Sequence, residues 1–107
     1  MPPYTDKLIN GKTMLYTIST ATLSKIYWSQ LASDDVVLFW QNGVVLALNS
    51  HIIVENILNQ TKHCYVLDSD ILARGLTDLI DSRINIIDMQ QAVSLTAHHF
   101  PQISWND

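Results

Sequence analysis

The sequence predicts a small three-layer α/β domain with a mainly parallel sheet of about four strands. Three observations predict it. Short β-type runs begin near residues 15, 36, 64 and 84, and each gap between them leaves room for a helix. The run Val36–Trp40 is continuously apolar, as suits a parallel strand covered on both faces better than a half-exposed one. The chain has 107 residues, 48% of them hydrophobic, enough for one core and too few for two.

Residues 1–13 carry two prolines, a glycine and mixed polar residues without periodicity, and read as a leader or appended segment. The domain is therefore expected to span residues 14–107. Leu15–Ser19 reads as the first strand. Thr20–Ala32 reads as a helix, because Leu23, Ile26, Tyr27 and Leu31 recur at three-to-four spacing. Val36–Trp40 follows the Asp34-Asp35 turn as the second strand. Gln41-Asn42-Gly43 is a turn, and Val44–Leu48 and Ile52–Leu58 read as helical with a break near Asn49-Ser50.

Cys64–Leu67 reads as the third strand. Asp68-Ser69-Asp70 is expected to cap a short helix, Ile71–Arg74, which Gly75 ends in the left-handed conformation. Ile84–Ile87 is the fourth strand, and Met89–His99 a last helix that Pro101 stops. Residues 102–107 read as a tail. The expected strand order is 2-1-3-4, with a crevice at the carboxyl ends of the strands. Ser19, Thr20, Gln41, Asn42, Gly43, Asp68, Ser69, Asp70 and Asp88 are the residues expected there.

Composition excludes several classes. The net charge is −4, and four Lys and two Arg are scattered, so no basic stripe exists for direct nucleic-acid binding. Apolar runs reach five residues, against roughly 20 for a membrane helix. One cysteine cannot form an internal disulfide, and with no apolar leader a cytoplasmic setting is expected. Charged residues are 15% of the chain, which hints at a surface covered by another protein.

Chemistry-bearing motifs are sparse. Three glycines cannot write a dinucleotide or Walker loop. Cys64 opens a buried strand, where a thiol packs as a small hydrophobe. His98 and His99 point about 100° apart on a helix, and nothing brings His51 and His63 together, so no metal site is expected. Arg74 stands before Gly75, placed for the helix's C-terminal carbonyls or for a partner. Trp105, in a polar tail with little local core, is expected to dock on another chain. No catalytic residue and no cofactor emerge, which favours a binding or assembly subunit.

Several stretches together resemble the TusB/DsrH family. Met14-Leu15-Tyr16-Thr17 is similar to its M-L-H-T opening, and Phe39-Trp40-Gln41-Asn42-Gly43-Val44 to its L-x-Q-D-G-V segment, with Asn42 replacing Asp. Tyr65-Val66-Leu67 and Asp70-Ile71-Leu72-Ala73-Arg74-Gly75-Leu76 resemble its Y-x-L…D-L-x-A-R-G-L signature. Val93, Leu95 and Thr96, then Gln102-Ile103-Ser104-Trp105, resemble its F-V-x-L-T…Q-x-x-W ending.

The resemblance implies a DsrE-like, flavodoxin-like fold and a subunit of a sulfurtransferase complex. In that complex TusC-like and TusD-like subunits join it as a heterohexamer. TusA-like and TusE-like carriers bring and remove persulfide sulfur, for 2-thiouridine at the tRNA wobble position. The family's first-helix cysteine has no counterpart in Ile26-Tyr27-Trp28-Ser29, so no catalytic cysteine carries over. Arg74, Gly75, Leu76 and Trp105 become the expected partner-interface residues. The alternatives are a subunit of a sulfur-oxidation complex of the DsrEFH type, or a homo-oligomeric small-molecule binding module. An isolated copy is expected to pair with itself.

Overall fold

The apolar runs of the sequence become the middle of a sheet. The computed structural model describes residues 14–98 and 102–105. Its strands are β1 (Leu15–Ile18), β2 (Val36–Phe39), β3 (His63–Leu67), β4 (Asn85–Ile87) and β5 (Gln102–Trp105). All pairings are parallel, in the order β4-β3-β2-β1-β5. The expected order 2-1-3-4 is corrected on one point: β3 pairs with β2, not with β1. The edge of β1 left open by that arrangement is filled by β5, a strand hidden in what reads as a tail. Every residue of β1 and β2 is buried, so their backbone groups need ladder partners on both sides.

The connections set the layers. β1 leads through α1 (Lys25–Trp28) to β2, and β2 through a 3-10 helix (Gln41–Ala47) and α2 (Ile52–Gln60) to β3. β3 leads through α3 (Asp68–Ala73) and a short 3-10 turn (Thr77–Leu79) to β4, and β4 through α4 (Met89–His98) towards β5. Side chains alternate across the sheet. Tyr16, Ile18, Val37, Phe39, Cys64 and Val66 share a core with the elements between β1 and β4. Leu15, Leu38, Leu67 and Ile87 face the other way, against Ala92 and Leu95 of α4. Helices thus cover both faces, as the three-layer reading expects.

Helix lengths depart from expectation where hydroxyl side chains intrude. Of Thr20–Ala32 only the single turn α1 is helical. Thr20 Oγ1 donates to the Thr22 carbonyl at 2.7 Å, and the Ser24 side chain makes no capping bond. Such local bonds compete with the helical ladder. Leu23 and Leu31 are buried all the same, so the apolar spacing reports burial without helix. Val44–Leu48 falls largely in a 3-10 helix, and the last helix keeps its expected span except at His99, which lies outside the described residues.

Two buried details hold the sheet in register. Asp35, expected as a plain turn residue, is fully buried. Its carboxylate accepts from the backbone N–H of Met14 at 3.2 Å and of Ala32 at 2.8 Å, tying the start of β1 to the turn before β2. Trp105 is the second. Its ring is 3% exposed and stacks 4.5 Å from Tyr16 and 5.6 Å from Tyr27, centroid to centroid. The expectation that it docks on another chain is corrected: β5 turns the ring into the chain's own core. Thr17 and Ser104 add a hydroxyl bond of 3.0 Å across the same strand pair.

Away from the sheet, Arg83 bonds Glu55 at 2.6 Å and Asp81 at 2.8 Å, linking α2 to the approach to β4. Hydrogen bonding from Arg83 holds both carboxyls below their usual range.

Two outcomes follow. Trp105→Ala is expected to lower folding stability by about 3–5 kcal/mol in urea melts, as for other buried aromatics. Glu55 and Asp81 have folded pKa values below their unfolded ones, so their contribution is present above about pH 4 and lost as pH falls through the folded values. Arg83→Met should therefore flatten the rise of melting temperature with pH in the acid range. The Glu55 share should be small, since Arg83 and Glu55 are largely exposed, and most of the effect should come from the buried Asp81.

Candidate functional site at the strand ends

The carboxyl ends of β1, β2 and β3 meet the segments Gln41–Gly43 and Asp70–Leu76. Their sequences fix a local clasp. Gln41 opens the 3-10 helix with φ of 52°, a left-handed conformation that costs a side-chain-bearing residue about 1–2 kcal/mol. Its N–H, turned outward by that conformation, donates to Asp70 Oδ2 at 2.6 Å. Asp70 lies in the first turn of α3 and was expected to cap that helix; instead its carboxylate caps the neighbouring 3-10 helix. A charged acceptor there compensates for the strained turn.

Arg74 closes the clasp. Its Nη1 donates to the Asp70 carbonyl at 3.1 Å, and its Nη2 donates to Asn42 Oδ1 at 2.9 Å. Thus it serves the last turn of α3 and also crosses to the β2 end. Gly75 has φ of 67°, the left-handed position expected of it, and its N–H donates to Leu72. Leu76 is half-buried against the main core, its N–H donating to Ile71.

Gly43 is required for a different reason. A Cβ there would stand 2.0 Å from the carbonyl oxygen of Ile18 and 3.2 Å from the Ser19 nitrogen. The end of β1 passes directly over this glycine. Ser19 in turn donates its N–H to Trp105 at 3.2 Å. Gln41, Asn42, Asp70 and Arg74 are therefore bonded to one another, with Gly43, Ser19 and Trp105 in contact behind them. Asp88 stands apart at the end of β4, where its carboxylate accepts from the Gln91 N–H at 2.7 Å and caps α4.

The other candidates are structural. Cys64 is fully buried in β3, and its Sγ donates to the Thr61 carbonyl at 3.5 Å. Burial, helped by the charge of Asp81, pushes its pKa up to about 12. His51 caps α2, its Nδ1 accepting from the Ile53 N–H at 3.2 Å. Its proton-free Nδ1 is thus spent on the backbone. Burial similarly raises the Tyr16 phenol. Sequence reasoning missed Asp35 and the aromatic stack, because neither shows in local spacing; the pairing of Asp70 with Gln41 spans 29 residues.

Substitutions in the clasp have definite signs. Gly43→Ala is expected to destabilise by about 2–3 kcal/mol, since the clashing atoms are backbone and cannot swing aside. Asp70→Ala should cost about 1–2 kcal/mol through the lost cap. Adding Gln41→Gly to Asp70→Ala should recover part of that loss in urea melts, because glycine adopts this φ without strain.

Comparisons with known proteins place the chain in a family. A family model described as DsrH like protein matches residues 19–102, a span that contains both halves of the clasp. A protein named TusB from Buchnera aphidicola is 39% identical over 77 residues, covering 72% of this chain and 81% of that one. A protein of Haemophilus influenzae is 35% identical over 97 residues, covering 85% and 99%. A protein named TusB from Yersinia pestis is 33% identical over 96 residues, covering 86% and 100%. The family model and these likenesses over most of the chain lead to one statement: the chain belongs to the DsrH-like family.

Proposed function

We propose that this chain is a non-catalytic subunit of a cytoplasmic sulfur-relay complex, positioned beside TusC-like and TusD-like subunits. That complex takes persulfide sulfur from a TusA-like carrier and delivers it through a TusE-like one, towards 2-thiouridine at the tRNA wobble position. Family membership carries the reading, since it includes relatives named TusB at 33–39% identity over most of the chain.

The chemistry of the site supports the non-catalytic part. A persulfide carrier needs an accessible thiolate. The chain's one cysteine is buried, and that burial pushes its pKa up and holds the thiol protonated at neutral pH. The clasp supports a binding rather than a reacting role. Its polar groups satisfy each other and shape a surface, which also weakens the reading as a small-molecule module. The acidic balance of −4 is consistent with a subunit that does not itself hold tRNA.

Co-expression with C-type and D-type subunits, followed by sizing, tests the assembly. A common complex is expected. The proposal fails if those two subunits assemble and transfer sulfur equally well while this chain stays apart. In the same complex, Cys64→Ala should leave sulfur transfer unchanged, and a thiol reagent should label Cys64 only after denaturation. Labelling of the folded protein would overturn the non-catalytic assignment.

A further inference from the structure

We infer that the notch between α3 and β4 is the docking site for a protein segment that presents a bulky apolar side chain beside a Lys or Arg. The inference deepens the subunit reading by naming a surface and a partner chemistry. The notch has a volume of about 300 Å³ and is lined by Asp68, Ser69, Ile71, Leu72, Thr77 and Ile86. Leu72 is 73% exposed and Ile86 46% exposed, so two branched aliphatic side chains stand open to water at its mouth.

The strand order explains why a notch opens here. β3 and β4 are neighbours, but the chain leaves them towards opposite faces of the sheet. After β3 it enters α3, whose Ile71 belongs to one core; after β4 it enters α4, whose Ala92 belongs to the other. Divergent connections leave a crevice between adjacent strands, the usual binding place in open α/β sheets. The strand-end crevice expected with the order 2-1-3-4 moves with the corrected order, to where the connections diverge.

Charge selects the occupant. Asp68 is on the wall, and Asp78 follows the lining residue Thr77 in sequence. Among the described residues no cation pairs with Asp68 or Asp78. Arg74, the nearest cation in sequence, is committed to Asp70 and Asn42. An apolar floor with the Asp68 carboxylate on its wall complements an apolar anchor flanked by positive charge. A second copy seated here about a two-fold axis would bring the same carboxylates face to face.

The test uses the isotope-labelled full chain and two peptides, acetyl-Lys-Phe-Arg-amide and acetyl-Glu-Phe-Glu-amide, followed by NMR. The basic peptide is expected to shift amides of residues 68–78 and 85–88 saturably, at least fivefold more tightly than the acidic one. Leu72→Lys should abolish the effect, whereas Ile52→Lys, on the exposed side of α2, should not. Both variants should melt as the parent does, since both side chains are exposed. No saturable shift, equal binding of both peptides, or an unchanged response in Leu72→Lys would overturn the inference. Failure of the chain to join C-type and D-type subunits defeats the subunit reading instead, and leaves the peptide result to decide the notch.

Discussion

Closure of β1 by β5 is the constraint on which the remaining structure depends. β1 is buried on both faces and paired with β2 along one edge. Its other edge would expose a full row of backbone donors and acceptors beside the main core. β5 satisfies that row, and brings Trp105 onto Tyr16 and Tyr27 as it does so. The edge positions are then left to β5 and to β4, both short, and short edge strands offer little template for unwanted pairing.

The same closure sets the height of the strand ends. Ser19 is fixed by the Trp105 carbonyl, so the last peptide of β1 has one position. Gly43 passes beneath that peptide at a distance only glycine allows. Gln41 is thereby driven into the left-handed region, and its outward N–H meets Asp70. From Asp70 the linkage runs along α3 to Arg74 and back to Asn42. The clasp is thus a consequence of sheet closure carried across 29 to 32 residues of sequence by two carboxylate and guanidinium contacts. Its groups need no partner to be satisfied, which makes it a rigid platform and directs attention to apolar surface beside it.

A continuous apolar run made β2 legible, because a strand covered on both faces has no polar alternation to disguise it; β1 showed only as a short β-type run. β5 was illegible for the opposite reason. Gln102 and Ser104 face outward on an edge, so the segment reads as polar, and its burial comes from a partner strand 87 residues away. Gly75 was legible because a helix end demands its conformation locally. Asp70 was not, since an acid in the first turn of a helix caps that helix unless a more strained turn competes for it. The family resemblance singled out Gln41–Gly43 and Asp70–Leu76 as separate stretches; their bonds to one another and the crevice between β3 and β4 come only from the fold.

The low charge content acquires a location from the same geometry. Of the few charged side chains, Asp35 and Asp81 are buried, while Arg83 and Arg74 are engaged by carboxylates of the chain itself. Fewer charges solvate the surface than composition alone suggests. Apart from Ile26 on α1 and Ile52 on α2, the exposed large aliphatic groups lie towards β4: Leu72 and Ile86 on one face, Met89 and Val93 one helical turn apart on α4 on the other. β4 is also the strand least defended by length, with three residues. A charge-poor domain whose open aliphatic groups border a short edge strand has its cost of exposure concentrated at one rim. Burial there removes more apolar area per contact than at the strand-end clasp, whose polar groups would have to be desolvated without gaining bonds. Association through the β4 rim, with the clasp as its rigid backing, is therefore the physically economical arrangement for this fold.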